Sequence, residues 1–167
     1  RSTGLKAQAG GGIRSLEVIR RYLDIGLARV ILGTAAVTDP AFLEAAVAEF
    51  GSQIAVGVDI RDGYVAIRGW TEQSAWTFED FCRRLQSLGV STVISTDISR
   101  DGAMMGTNVD LYRRLSADYS MDIIASGGVS SLEDVAALKA MGLYGAIIGK
   151  AYYTGAIDLR RAIEVAT

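Results

Sequence analysis

Histidine is absent, cysteine and proline occur once each, and no apolar run is long enough to span a bilayer. Each gap removes a class of function. With no histidine, one cysteine and no carboxylates grouped at ligand spacing, the chain offers no metal site. A lone cysteine cannot form an internal disulfide, which points to a reducing cytoplasm. Cys82, in a helical segment between Phe81 and Arg83, reads as packing filler. No stretch approaches the ~18 to 20 apolar residues of a membrane-spanning helix, and the N-terminus has no apolar signal segment. The expected compartment is therefore the cytoplasm. Formal net charge is −2, with Lys and Arg scattered rather than blocked. Nothing draws the chain as a whole to nucleic acid or to an acidic membrane, so any anion must be held by local groups. With half of its 167 residues apolar and 22% charged, the chain suits one substantial core. It contains no linker or low-complexity stretch, which predicts a single domain over residues 1–167.

Glycine, by contrast, is plentiful and patterned. Gly11-Gly12-Ile13-Arg14-Ser15-Leu16-Glu17 and Gly127-Gly128-Val129-Ser130-Ser131-Leu132-Glu133 read as two copies of one segment, 116 positions apart. The same offset carries Gly26 onto Gly142 and Gly33 onto Gly149. Glycine positions in register over such a span indicate a duplicated unit. Each copy places glycines after an apolar strand and before a helix, where bare N–H groups and the helix dipole can hold a phosphate.

Short apolar strands are predicted at Leu5–Ala9, Arg29–Leu32, Gln53–Val58, Thr92–Ser95, Asp122–Ala125 and Gly145–Ile148. Helical spacing falls at Ser15–Ile25, Pro40–Phe50, Thr77–Leu88, Asn108–Ser116, Ser131–Met141 and Leu159–Val165. Pro40 suits a first helical turn. Asp62-Gly63, between two β-rich stretches, predicts a hairpin after the third strand. Alternating strands and helices argue for an α/β protein with a parallel sheet. Under the offset the first unit corresponds to the fifth and the second to the sixth, so each copy holds four units and two copies make eight. A closed (β/α)₈ barrel, the TIM barrel, runs to ~250 residues, roughly 80 more than are present. The expected fold is thus a partial barrel containing units three to eight. Arg1-Ser2-Thr3-Gly4 is then a remnant or a break.

In such a barrel the working groups lie at the C-terminal ends of strands. The third strand ends Gly57-Val58-Asp59 and the fourth runs into Ser95-Thr96-Asp97. Asp59, emerging from an apolar strand into a partly desolvated mouth, is the candidate general acid; its bland alternative is a cap. Thr96 either bonds a substrate hydroxyl, orients the acid, or is only a β-branched strand residue. Asp97 and Asp101 read as loop-structuring. Arg14 can neutralise substrate charge or be a solvated helix-start residue. Trp70 can stack on a flat ring or cover the rim, while Trp76, at a helix start, reads as core. Gly11, Gly12, Gly33 and Thr34 form one expected phosphate site, and Gly127, Gly128 and Gly149 the other. A small molecule with phosphates at opposite ends would span the mouth.

Gly10-Gly11-Gly12-Ile13-Arg14-Ser15, Ile31-Leu32-Gly33-Thr34-Ala35, Gly57-Val58-Asp59 followed by Gly69-Trp70, Thr96-Asp97-Ile98-Ser99-Arg100-Asp101-Gly102, and Ala125-Ser126-Gly127-Gly128-Val129 are ordered motifs. Together they resemble the phosphoribosylformimino-5-aminoimidazole carboxamide ribotide isomerase family of histidine biosynthesis, from about Lys6 to the C-terminus. The resemblance implies a (β/α)₈ barrel of two similar halves. It implies an Amadori rearrangement that opens a ribose ring and turns an aminoaldose into an aminoketose, on a substrate with two phosphates and with no cofactor. It makes Asp59 the general acid, Thr96 its assistant, and Arg14 and Trp70 neighbours of the substrate. The family's general base is an aspartate at the end of strand one, which this sequence does not contain, so the 167 residues alone are expected to be inactive. The cyclase of the same pathway is disfavoured, because Asp59-Ile60-Arg61 stands where it has Asp-x-Lys. A dual isomerase that also processes phosphoribosylanthranilate remains an alternative. So does a non-catalytic partial barrel that binds phosphates and pairs its open sheet edges into homo-oligomers.

Overall fold

The computed structural model describes residues 3–167; of the opening tetrapeptide, Arg1 and Ser2 lie outside the described residues. In chain order the elements are β1 (Gln8–Gly10), α1 (Leu16–Asp24), β2 (Arg29–Leu32), α2 (Thr34–Thr38), α3 (Pro40–Phe50), β3 (Ile54–Arg61), β4 (Tyr64–Ile67) and β5 (Glu72–Thr77). They continue with α4 (Phe78–Ser87), β6 (Thr92–Asp97), α5 (Val109–Asp118), β7 (Asp122–Ser126), α6 (Leu132–Ala140), β8 (Gly145–Ala146), α7 (Lys150–Tyr153) and α8 (Leu159–Ala166). The parallel strands run in the order β1-β2-β3-β6-β7-β8, with the β4–β5 hairpin branching from β3.

Alternation along these strands feeds two faces. Ile54, Val56 and Val58 of β3, Val93 of β6, and Ile123 and Ala125 of β7 pack under the helices in the main core. Ala55, Ile94 and Ile124, joined by Ile31, form a smaller cluster on the other face. Both faces are buried, as parallel sheets require. The Arg29 guanidinium lies 5.6 Å from the centre of the Tyr144 ring. Three strands separate their positions in the sheet, so a flat arrangement would put them roughly 19 Å apart at ~4.8 Å per strand. The sheet curls like part of a barrel wall, leaving β1 and β8 as its ends.

The duplication is present in the backbone. Offset by 116, α1 falls on α6 with both ends matched, and β2 and α2 begin where β8 and α7 begin. Ser15 and Ser131 each cap the following helix with the side-chain oxygen. Gly33 (φ −108°, ψ −111°) and Gly149 (φ −100°, ψ −103°) share one uncommon conformation. The pairs Gly11–Gly12 and Gly127–Gly128 all have positive φ.

Several boundaries differ from expectation. β3 continues to Arg61 and β6 to Asp97, because pairing with β4 and with each other sustains them. Asp59 therefore lies within a strand, opposite Ala66 of the hairpin, rather than at a strand end. The Asp62-Gly63 turn forms as expected, both residues at positive φ. β5 was not expected, and Trp76 belongs to it rather than to a helix start; its ring still packs on Phe81. Helices α2 and α7 follow Gly33 and Gly149 directly and are too short for a periodicity signal. The N-terminal strand is Gln8–Gly10, later than Leu5–Ala9, and β8 stops at Ala146. Cys82 is buried, and desolvation pushes its thiol up to about 12. Among the described residues no helix is long and apolar enough to cross a membrane.

Tyr112 of α5 reaches the sheet through the core. Its hydroxyl lies 2.9 Å from the Ser95 carbonyl and 2.6 Å from the Ser126 carbonyl, and it accepts the Ser126 N–H at 3.1 Å. Removing it orphans buried backbone groups where β6 and β7 end. Tyr112→Phe should therefore lose about 1–3 kcal/mol in urea unfolding with its far-UV spectrum unchanged.

Candidate active site

The parallel register aligns Asp59 of β3 with Thr96 of β6, and Thr96 with Ser126 of β7. Residues in register on adjacent parallel strands point to the same face, so these three polar side chains make one row across the sheet. Thr96 and Ser126 are buried and Asp59 is half-buried. The Trp70 indole Nε1–H donates to Asp59 Oδ2 at 2.7 Å. Trp70 thus braces Asp59 through the edge of its ring.

Delivering that indole requires an unusual turn between β4 and β5. Arg68 (φ 53°), Gly69 (φ 64°) and Trp70 (φ 69°) are consecutive left-handed residues. Such a conformation costs about 1 kcal/mol or more for each non-glycine residue. Surrounding bonds hold it. The Arg68 N–H donates to Thr34 Oγ1 at 2.9 Å, the Thr71 hydroxyl donates to the Arg68 carbonyl at 2.8 Å, and the Arg68 guanidinium pairs with Glu72 at 3.0 Å. Thr34, expected to touch phosphate, is therefore also the anchor of the Trp70 turn.

Gly11, Gly12, Arg14, Gly33, Thr34 and Asp59 line one cavity of about 530 Å³, together with Arg68 and Gly69. The whole first expected phosphate site and the candidate acid share this space. A Cβ on Gly11, Gly12 or Gly33 would meet nothing within 4 Å. At Gly11 and Gly12 it is positive φ, and not crowding, that calls for glycine. Arg14 is exposed at the cavity, with its charge available to a ligand.

Gly127, Gly128 and Gly149 also come together, in a space of about 40 Å³ shared with Ser126, Gly102 and Lys150. This second cradle is roofed by the loop that follows β6. A Cβ on Gly127 would sit 2.6 Å from the Asp97 carbonyl oxygen, and one on Gly128 would strike the Gly106 carbonyl and, at 2.9 Å, Arg100 Cβ. Here glycine is required by packing as well as by positive φ. Asp97 ties the roof down: Oδ1 accepts from the Ser99 N–H (2.9 Å) and hydroxyl (2.6 Å), and Oδ2 from the Asn108 amide (2.6 Å). That is the loop-structuring part expected of it. Arg68, Ser126 and Lys150 were missed. Ser126 immediately precedes the second glycine pair, and Lys150 follows Gly149 as Thr34 follows Gly33, so the repeat itself carried the signal for both. Among the described residues no three His, Cys, Asp or Glu side chains converge as metal ligands.

Asp134 joins the roof to the cradle. It accepts from the Thr107 N–H at 3.3 Å and from the Ser130 and Ser131 N–H groups at 2.9 and 3.0 Å. Burial pushes its carboxyl up, but these backbone donors and the Ser130 hydroxyl outweigh burial and hold it below the ordinary carboxylate value.

The chain belongs to the histidine biosynthesis protein family, whose sequence model matches residues 1–158. It is 49% identical over 159 residues to a protein of Ruminiclostridium cellulolyticum, covering 95% of this chain and 67% of the relative. It is 50% identical over 158 residues to one of Listeria welshimeri (95% and 66%), and 51% over 157 residues to one of Oceanobacillus iheyensis (94% and 65%). Each of these is named 1-(5-phosphoribosyl)-5-((5-phosphoribosylamino)methylideneamino) imidazole-4-carboxamide isomerase. The chain spans about two thirds of the length of these curated relatives.

Because the folded-state carboxyl of Asp134 is depressed, its contribution is present above the unfolded value near 3.9 and disappears as pH falls through the folded value. Asp134→Asn should lower the melting temperature at pH 7. It should also show a shallower loss of stability than the parent chain between about pH 5 and pH 2.

Proposed function

We propose that the chain is units three to eight of a (β/α)₈ isomerase that converts a bis-phosphorylated aminoaldose ribotide into its aminoketose in histidine biosynthesis. The observation that carries this reading is the single cavity in which Asp59 faces Gly11, Gly12, Gly33, Thr34 and Arg14. An acid beside an anion cradle suits a sugar phosphate held by its phosphate with the ring against the carboxyl. The relatives' name specifies two phosphoribosyl groups, and the sheet offers two glycine cradles, so the second phosphate goes to Gly127, Gly128 and Gly149.

With Oδ2 of Asp59 occupied by the Trp70 indole, Oδ1 is the oxygen left to deliver a proton to the substrate. Asp59 gives it to the ribose ring oxygen; the C1–O bond breaks and the nitrogen lone pair forms a C1=N iminium. Removal of the C2 proton gives an enolamine; return of that proton to C1 and loss of the C2 hydroxyl proton, which restores Asp59, leave a C2 ketone. No atom is gained or lost overall. Thr96, in register beside Asp59, steadies the acid or a sugar hydroxyl. Arg14 offsets phosphate charge, and Trp70 keeps Asp59 in place. The C2 proton needs a base on the far side of the ring, assigned to strand one, which is not among these 167 residues. The chain by itself should therefore not turn over. The proposed compartment is the cytoplasm.

A second reading, a self-associating partial barrel without turnover, is favoured by the sheet ends. Among the described residues β1 and β8 each pair on one side only, and Tyr144 and Ile147, which flank β8 in sequence, are exposed. Exposed edges promote pairing between chains, so an oligomer is expected on a sizing column.

The deciding assay compares the chain alone with the chain mixed with the first third of the Ruminiclostridium relative, which carries the proposed base. Turnover only in the mixture is expected; turnover by the chain alone would refute the assignment of the base, and none in either would favour the second reading. In the active mixture Asp59→Asn should lose about 10²–10⁴-fold in kcat, and near-normal kcat would remove Asp59 from the acid role.

A further inference from the structure

The two cradles are copies in backbone but not in side chains, and the difference is ordered. The positions that carry Arg14 and Thr34 in the first carry Ser130 and Lys150 in the second. Each cradle thus has one cation and one hydroxyl, with their places exchanged between the two loops. Both hydroxyls are engaged in the scaffold: Thr34 Oγ1 accepts from the Arg68 N–H, and the Ser130 hydroxyl donates to Asp134. The cations are not equivalent. Arg14 borders an open cavity, whereas the Lys150 ammonium donates to the Gly102 carbonyl at 2.9 Å, reaching from α7 to the roof loop.

Both partners of that bond line the second cradle. With it in place the enclosed space is about 40 Å³, less than a tenth of the first cavity. This is room for a few waters at ~10–15 Å³ each. Asp101 is the carboxylate that lines the same space, so an anion there needs a nearby positive charge to offset it. Among the described residues Lys150 is the one cation lining it.

Resting on the reading of Gly127, Gly128 and Gly149 as a phosphate site, we propose that Lys150 is a latch: its ammonium exchanges the Gly102 carbonyl for a phosphate oxygen, so that occupancy of the second cradle releases the loop following β6. The ammonium has only its three donors on one flexible stem, and the opened cradle and the closed one place them differently. Among the described residues the Arg14 side chain makes no hydrogen bond to a loop carbonyl, and Arg68, the other cation lining the first cavity, is paired with Glu72 in its own turn, so the first cradle has no matching bond to exchange. The two ends of a bis-phosphorylated ligand therefore differ: one end docks into an open site, and the other moves a loop whose root, Asp97, is adjacent to Thr96.

The test is an NMR titration of the isotope-labelled 167-residue chain with inorganic phosphate. Amides of Gly11, Gly12 and Gly33 report the first cradle, those of Gly127, Gly128 and Gly149 the second, and those of Gly102 and Ala103 the roof. In the parent chain the roof amides should shift with the second group and not with the first. Lys150→Met should weaken phosphate about tenfold at the second group and leave the first within about twofold, with the roof amides no longer responding; Lys150→Arg should restore both. The unchanged first group doubles as the check that the variant is folded. Equal second-group affinity in Lys150→Met and parent, or roof amides that follow the first group, overturns the latch alone. No response at either glycine group in the parent overturns the cradle reading and the latch with it.

Discussion

The site depends on strand register. Asp59, Thr96 and Ser126 are far apart in sequence and become neighbours only because β3, β6 and β7 pair in parallel without a slip. A shift of one residue would turn all three toward the helices and bring Val58, Ser95 and Ala125 inward. The register is protected from both faces. Val56, Val93 and Ile123 bind the sheet to the helical layer, Ala55, Ile94 and Ile124 close the concave face, and the Tyr112 hydroxyl ties the ends of β6 and β7 together. The same burial that stabilises the sheet thus sets the position of the acid.

On that frame the duplicated loops do different work. Closely similar glycine conformations recur after β1 and β7 and after β2 and β8, yet one pair of loops opens onto a broad cavity and the other lies beneath a roof held by Asp97 and Asp134. The backbone conformation is shared, and the side chains around it set how open each pair of loops is. The β4–β5 turn is the part of the site without a counterpart among the described residues. Its three left-handed residues are held in place by Thr34 and Glu72, and the result is an indole hydrogen bond on Asp59.

Much of this was legible from residues alone, and the reasons are physical. Glycine spacing revealed the repeat because positive φ, as at Gly11, Gly12, Gly127 and Gly128, tolerates little else, and the helix limits followed from apolar spacing and from Pro40 in a first turn. Gly11, Gly12, Gly33 and Thr34 were named as one site, with Arg14 and Asp59 apart from it, and all six line one cavity. What escaped was non-local. β5 lacks clear alternation and exists through its pairing with β4. The extension of β3 past Val58 depends on that hairpin. The part played by Trp70 depends on a turn conformation that Arg68 and Trp70 do not advertise as residue types. Lys150 and Ser126 were overlooked because the repeat was followed through its glycines and not through the positions beside them.

The central claim is that an ancestral half-barrel was doubled and left two anion cradles on one side of the sheet, with Asp59 beside the first. The most direct measurement is a crystal structure of the chain grown in phosphate. The account predicts two ions, one against Gly11, Gly12 and Gly33 beside Arg14, the other against Gly127, Gly128 and Gly149. Ordered phosphate found only elsewhere on the molecule, with both glycine pairs dry of anion, would contradict it.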